Sequence, residues 1–148
     1  MTDVTDCPYY LLTRASLATT GMLKQLLAAA NAAQIRPAYL GVLMSLWAED
    51  GLRAAVLGRR AGLEPSTMTG LLDRMERDEL LVRTPDPDDR RAHRIVLTVN
   101  GRRAQKPVMR VIDQSLAQMF AGVSAGDMTA LKGILRQVLA NANRLEHP

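Results

Sequence analysis

The chain has 148 residues, a length that fits one folded domain. Hydrophobic residues make up 47% of it and charged residues 23%, which excludes a disordered or fibrous protein. Its single cysteine, Cys7, excludes an internal disulfide and a multi-cysteine metal site, and its two histidines, His93 and His147, form no metal-ligand motif. We therefore expect no catalytic residues, no metal and no cofactor.

The formal net charge is +4, and the positive excess lies in the middle of the chain. Residues 52–103 hold eleven basic and eight acidic side chains, and every basic one is arginine. Arginine's planar guanidinium suits phosphate and guanine recognition, although a solvated charged face is the competing explanation. No apolar run reaches the roughly 18 residues of a membrane span, so we expect a cytoplasmic protein with no membrane partner.

Two amphipathic helices open the predicted fold. The first covers residues 8–34, where apolar side chains recur at alternating steps of four and three. The second begins at Pro37, because proline is tolerated in a first helical turn, and ends at residues 49–51. Its predicted apolar face consists of Leu40, Leu43, Met44 and Trp47.

A helix-turn-helix pair follows. A short helix is predicted over residues 54–61, ending at Gly62, and a further helix over residues 65–79 begins with Pro65. The inward face of this second helix of the pair consists of Met68, Leu71, Leu72 and Met75. Its outer face and flanks carry small, hydroxyl and arginine side chains, with one aspartate: Ser66, Thr67, Thr69, Gly70, Asp73, Arg74 and Arg77.

The hydrophobic period then changes to that of a β-hairpin. Residues 80–84 and 92–98 are therefore predicted as strands. The segment between them contains two prolines and three aspartates, which favour a turn over a helix or a strand. Three arginines lie in or beside this tip: Arg90, Arg91 and Arg94. Ordinary turn chemistry explains Asp86 and Asp88.

Two helices complete the predicted fold. Thr98 is predicted to cap a helix over residues 99–121, and Ser124 a last helix that runs to residue 146. The inward side chains of the first are Val108, Ile112, Leu116 and Met119. The apolar stripe of the last contains Met128, Leu131, Leu135, Val138, Ala142 and Leu145.

The long helices at the two ends, residues 8–34 and 100–146, carry apolar stripes that the compact middle is too small to cover. Pairing with the same helices of a second copy buries both stripes, so we expect a two-fold homodimer. A monomeric bundle that folds back on itself is the alternative.

Helix, turn, helix and hairpin in this order indicate a winged helix-turn-helix over residues 37–99. We therefore predict a mostly α fold, an α+β winged helix, in a single domain over residues 1–148. The second helix of the pair is placed to enter the major groove, where small and hydroxyl side chains permit close approach to bases and phosphates. The arginines of the hairpin tip suit phosphates and the minor groove.

Two segments resemble the MarR family of transcription regulators. Residues 86–91, followed by Leu97-Thr98 and Gly101, are similar to that family's wing signature, and residues 65–76 are similar to its recognition helix. The resemblance implies a homodimer on a pseudo-palindromic operator in double-stranded DNA, released in many members by a small aromatic or phenolic ligand.

The resemblance also implies residue roles. Arg91 is expected to enter the minor groove, with Asp89 as its orienting partner. Three positions depart from the family pattern. Arg53 replaces a hydroxyl cap, Gly58 replaces an alanine, and Glu79 replaces a glycine, which predicts a strained left-handed residue there.

The family's effector pocket lies between the dimer helices and the winged part. The resemblance therefore points to Arg14, Tyr39 and Trp47 as effector-binding residues, with Trp47 as an ordinary core residue the competing explanation. We expect a DNA-binding repressor released by a small aromatic ligand. The alternatives are a winged-helix protein-interaction module without DNA binding and a redox-sensing regulator that uses Cys7.

Overall fold

The computed structural model describes residues 3–146, the last two of them by backbone only. The predictions for Leu145 and His147 lie outside the described side chains. The chain forms two compact units, Met1–Ser115 and Leu116–Pro148. It is mostly helical with one small antiparallel sheet, which confirms the predicted fold class. Among the described residues, no helix combines the length and the hydropathy needed to cross a membrane.

Most of the helices belong to the first unit. They are α1 (Pro8–Ala29), α2 (Leu40–Ala48), α3 (Ala54–Ala61), α4 (Pro65–Arg77), α5 (Val99–Arg103) and α6 (Gln105–Met119), whose last residues belong to the second unit. Short 3-10 helices at Val4–Asp6 and Pro37–Tyr39 precede α1 and α2.

The predicted end of the first helix at residue 34 is wrong, because α1 ends at Ala29. Asn31 is left-handed, with φ of 55°, and the Ala32 N–H donates to the Leu27 carbonyl at 2.8 Å. This arrangement satisfies the last carbonyls of a helix and ends it. Asparagine adopts the left-handed conformation more readily than most residues.

The turn between α3 and α4 forms as predicted. Gly62 is left-handed, with φ of 68°, and the Leu63 N–H donates to the Gly58 carbonyl at 2.9 Å. Pro65 occupies the first turn of α4. That helix ends at Arg77, two residues before the predicted boundary at residue 79.

The sheet contains three short strands. They are β1 (Leu52–Arg53), β2 (Leu81–Pro85) and β3 (His93–Leu97), in the antiparallel order β1-β3-β2. Leu81 pairs with Leu97 and Pro85 with His93, which confirms the hairpin. Strand β1 escapes prediction because two residues are too few to show a period of two.

Two predicted apolar faces are partly wrong. On α2, Met44 is 45% exposed, whereas Val42 and Leu46 are buried. Nearly every residue of α2 is apolar, so the pattern leaves its rotation open by one residue. On α6, Leu116 is also 45% exposed, and Val111 is buried in the core of the first unit.

A break at Ala104 corrects the single helix predicted over residues 99–121. Pro107 has no N–H to donate to the Arg103 carbonyl four residues earlier, so the helical ladder is interrupted there.

The second unit holds the end of α6 and the last helix, α7 (Ala125–Glu146). Ser124 caps α7 as predicted, because its hydroxyl oxygen accepts the Asp127 N–H at 3.0 Å and its hydroxyl donates to the Asp127 carboxylate at 2.6 Å. None of the described α7 side chains is buried, and Ile134 and Leu139 are each 62% exposed.

A close backbone contact joins the end of α4 to the start of α5. A Cβ on Gly101 would lie 2.0 Å from the carbonyl oxygen of Leu80. Thr98 caps α5 as predicted, accepting the Gly101 N–H at 3.0 Å, while its own N–H donates to the Leu80 carbonyl at 3.1 Å. The Trp47 indole N–H donates to the Gly101 carbonyl at 3.0 Å. Only glycine fits at this junction.

We expect Gly101→Ala to lower the free energy of unfolding by about 2–3 kcal/mol, because the backbone must shift to relieve the overlap with the Leu80 carbonyl. Gly133→Ala is the matched control, since a Cβ at that helical position meets no atom within 4 Å beyond its chain neighbours and its own helix backbone. It should leave stability unchanged or raise it by up to about 1 kcal/mol. Denaturant unfolding measures the difference, and equal stabilities would contradict the role given to Gly101.

Candidate nucleic-acid interface

Helix α4 separates its buried and exposed side chains as predicted. The inward residues Met68, Leu71, Leu72 and Met75 are all buried. Ser66, Thr67 and Thr69 are exposed in the first two turns, and a Cβ on Gly70 would meet no atom within 4 Å. The beginning of α4 therefore presents a low surface that another molecule can approach closely.

The second half of the outer face is charged. Arg74 and Arg77 are exposed, and the Arg77 Nε donates to the Asp73 carbonyl at 3.4 Å. The structure therefore brings all seven predicted α4 residues onto or beside one accessible surface, with arginines beyond the small residues.

Arg83 on β2 is a partner of α4 that the sequence analysis missed. Its Nη1 donates to the Glu76 carboxylate and its Nη2 to the Asp73 carboxylate, each at 2.7 Å, and its backbone N–H donates to Glu76 at 3.1 Å. One guanidinium thus joins two successive turns of α4 to the hairpin. The Asp73 carboxylate, predicted to face a ligand, is paired within the chain.

The end of α4 is fixed by a left-handed residue and a buried tyrosine. Glu79 has φ of 56°, which confirms the strained conformation predicted there. The Tyr39 hydroxyl donates to the Asp78 carboxylate at 2.6 Å. Burial raises the pKa of the Tyr39 phenol, and the hydrogen bond to Asp78 adds to the shift.

The tip of the wing is a closed turn with exposed arginines. The Asp86 N–H donates to the Ala92 carbonyl, and the Ala92 N–H donates to the Asp89 carbonyl, both at 3.0 Å. The Asp89 carboxylate accepts the backbone N–H of Arg91 at 3.0 Å. Arg90 and Arg91 are exposed. No ion pair joins Asp89 to a guanidinium within residues 3–146.

Asp86 is more than the turn residue predicted. One carboxylate oxygen accepts the Asp88 N–H at 2.9 Å, which is turn chemistry, but the other accepts the Arg53 Nε at 2.7 Å and lies 3.3 Å from the Arg94 Nε. The carboxylate is fully buried. The Arg53 guanidinium lowers the pKa of Asp86 below its usual value, and the Asp88 N–H adds to the shift. A buried carboxylate is costly unless it is paired, and the two neighbouring arginines provide that pairing. Asp86 is therefore an ion-pair residue as well as a turn residue.

Neither of the two pockets formed by the described residues brings the three predicted effector residues together. Trp47 lines a pocket of about 200 Å³ with Met44, Ala48, Gln105 and Met109. Tyr39 is completely buried, and Arg14 is exposed on α1. A second pocket, of about 330 Å³, opens beside Glu76 and Glu79. Within residues 3–146, no group of three or more His, Cys, Asp or Glu residues is arranged to hold a metal ion.

Sequence reasoning missed Arg53, Arg83 and Asp86 for one reason. Each acts through a partner between 7 and 33 positions away, and no periodicity or short motif carries such a pairing. The substitution of a hydroxyl cap by Arg53 was the only available signal.

The comparisons with known proteins agree with this architecture. A family model described as the MarR family matches residues 36–93. The transcriptional activatory protein BadR of Rhodopseudomonas palustris is 31% identical over 114 residues, which cover 74% of this chain and 63% of BadR. The chain spans between 33% and 63% of the length of the first curated relatives that it matches.

Three solved structures share the fold. PcaV from Streptomyces coelicolor, in complex with its natural ligand, has a TM-score of 0.87 at 25% identity and covers 96% of this chain and 98% of its own. The repressor CouR, bound to a 23-mer DNA duplex, has a TM-score of 0.83 at 25% identity, covering 94% and 96%. A MarR family regulator from Silicibacter pomeroyi is 30% identical with a TM-score of 0.69, covering 89% and 87%.

The winged helix-turn-helix geometry agrees with the matching family model. The family member from Silicibacter pomeroyi is 30% identical and covers 89% of this chain. The chain belongs to the MarR family of winged helix-turn-helix transcription regulators.

Proposed function

We propose that the chain is a sequence-specific regulator that binds a pseudo-palindromic operator in double-stranded DNA as a homodimer in the cytoplasm. The observation that carries this proposal is the outer face of α4, which has small, accessible side chains in its first turns and exposed arginines beyond them. A helix of this form fits the major groove, where small side chains let the backbone approach and arginine reads guanine. The DNA duplex bound to CouR, a protein of similar fold, supports the same use.

The wing supplies the second set of DNA contacts in this proposal. Its exposed arginines, Arg90 and Arg91, extend beyond the sheet on a short turn. Arg91 enters the minor groove and Asp89 orients it, because the Asp89 carboxylate fixes the backbone from which Arg91 projects. The proposed DNA-binding residues are Ser66, Thr67, Thr69, Gly70, Asp73, Arg74, Arg77, Asp89, Arg90, Arg91 and Arg94.

Exposed apolar side chains on the terminal helices support a homodimer. On α1, Tyr9 is 78% exposed and Leu17 is 62% exposed, and only Leu27 is buried. On α7, Ile134 and Leu139 are exposed to the same degree as Leu17. Several large apolar side chains exposed along one helix are more typical of an interface than of a free surface.

Regulation by a small aromatic effector completes the proposal. PcaV was solved with its natural ligand, and in this chain the pocket beside Trp47 offers apolar walls for a ring. Tyr39 is a weaker candidate than Trp47, because Tyr39 is completely buried whereas Trp47 lines this pocket. CouR is a repressor and BadR an activatory protein, and we favour repression released by the effector.

The recognition helix is tested by Arg74→Ala. We expect weaker operator binding and, where the side chain reads a guanine, a loss of discrimination at that base pair of roughly 1–3 kcal/mol. Operators selected from a random DNA pool provide the ligand, and fluorescence anisotropy against all four bases at each position provides the measurement.

Arg110→Ala, at an exposed position of α6, removes the same charge outside α4 and the wing and controls for long-range electrostatics. A uniform loss across all sequences would make Arg74 a phosphate contact. Unchanged binding by Arg74→Ala would refute the assignment of α4 as the recognition helix.

The dimer is tested by replacing Ile134 and Leu139 together with aspartate. Both are exposed in the single chain, so the double variant keeps its fold, whereas a charge placed in an apolar seam is costly. Sedimentation velocity should show a dimer for the wild type and a monomer for the variant. Gln137→Asp with Asn141→Asp adds the same charge at polar positions of α7 and should remain dimeric. A wild-type monomer at micromolar concentration would exclude the homodimer.

The wing is tested by Asp89→Ala. If Asp89 orients Arg91, its loss should weaken operator binding, although it removes a negative charge facing a polyanion. Simple Coulomb attraction predicts the opposite sign. Glu64→Ala removes the same charge from an exposed residue beside α4 whose carboxylate makes no cap hydrogen bond, and it should not weaken binding. Operator affinities at one fixed salt concentration decide the question, and tighter binding by Asp89→Ala would leave Asp89 as a turn residue only.

A further inference from the structure

The base of the wing contains an ion-pair cluster that spans all three strands. Arg53 on β1 and Arg94 on β3 are direct partners across the sheet, and Asp86 follows the last residue of β2. Two like charges at directly opposed positions repel each other. The buried Asp86 carboxylate removes this repulsion by binding Arg53 at 2.7 Å and lying 3.3 Å from the Arg94 Nε.

The wing tip has few other attachments to the body of the protein. The hydrogen bonds of Asp88, Asp89, Arg91 and Ala92 are made within the tip itself. They fix the internal shape of the turn and not its direction. Among the described residues, the tip makes one direct side-chain hydrogen bond beyond the hairpin strands, that of Asp86 with Arg53. Arg94 of β3, which lies 3.3 Å from Asp86 and 3.7 Å from Asp88, also donates to the Gly51 carbonyl at 3.3 Å.

Arg53 lies where strand β1 meets helix α3. It is the residue directly before α3, where it makes no side-chain cap to that helix. Its Nε is committed to Asp86, and its side chain is less than half exposed. Because Arg53 binds Asp86 and does not cap α3, it connects the first helix of the helix-turn-helix pair to the hairpin.

We infer that Arg53 is a positioning residue for the wing, which holds Asp86 and thereby fixes the direction in which the tip presents Arg91. This inference rests on the proposed DNA-binding function. Arg53 acts through Asp86, and its effect on DNA binding passes through the wing. An exposed arginine that simply adds positive charge behaves differently, and the two roles are separable by experiment.

The first arm of the test uses the free protein and no DNA. Arg53→Ala and Asp86→Asn should each speed amide hydrogen exchange at Asp86 and Ala92 by roughly tenfold, because the tip opens more often when its attachment is lost. Arg59→Ala, an exposed arginine of α3 without this contact, is the matched control and should leave exchange at these amides unchanged. Unchanged exchange in Arg53→Ala would overturn the inference, whatever the protein binds.

The second arm measures affinity for an operator selected with the wild-type protein. Both variants should bind roughly tenfold more weakly, the effect of losing one charge-assisted hydrogen bond. For Asp86→Asn this is the reverse of the Coulomb expectation, because an acidic charge is removed. In an Arg91→Ala background, the effect of either substitution should be clearly reduced.

Three results in this arm would overturn the inference. They are tighter binding by Asp86→Asn, equal losses and equal salt dependence for Arg53→Ala and Arg59→Ala, and an undiminished effect of Arg53→Ala in the Arg91→Ala background. Absence of any selected operator would refute the proposed function instead, while the exchange experiment still tests the contact. Thermal unfolding of each variant identifies a loss of the whole fold, and Arg53→Ala keeps the test valid if Asp86→Asn does not fold.

Discussion

The close approach of Gly101 to the Leu80 carbonyl constrains the geometry of the whole winged part. Because no Cβ separates the two backbones, Thr98 reaches the end of α4 with both its N–H and its hydroxyl, which bond Leu80 and Glu79. Trp47 on α2 completes the junction by binding the Gly101 carbonyl. The end of the recognition helix, the end of β3 and the start of α5 therefore meet at one point. The hairpin cannot change its angle to α4 without breaking these bonds.

A second set of contacts addresses the acidic residues that accompany the arginines. A carboxylate on a surface that binds a polyanion opposes binding by charge repulsion, and an ion pair within the protein reduces this repulsion. Arg83 pairs with both Asp73 and Glu76, and Arg53 pairs with the buried Asp86. The acidic side chains of α4 and of the wing base are thus used to hold elements together. The arginines that remain exposed at the outer face of α4 and at the wing tip set the sign of the surface.

Elements that depend on neighbouring residues could be predicted from the sequence. Contacts between residues far apart in the chain could not. Helix α4 was predictable because its apolar spacing, its opening proline and its outward small residues agree. The break at Ala104 was readable in principle, since Pro107 removes one hydrogen bond of the ladder. The rotation of α2 was not, because a helix that is apolar on most sides fits several phases. The partners of Arg83 and Asp86 depend on which strands become neighbours, and that is decided by the tertiary fold.

The three departures from the family pattern all lie where the helix pair meets its surroundings. Arg53 leaves α3 without a side-chain cap, and its guanidinium holds the wing. Gly58 lets the Leu63 carbonyl approach within 3.1 Å of the position of a Cβ, so an alanine there would press against the turn into α4. Glu79 adopts a left-handed conformation, and its carbonyl accepts a hydrogen bond from the Thr98 hydroxyl. At Arg53 and Glu79, the departure from the family pattern coincides with a contact between elements.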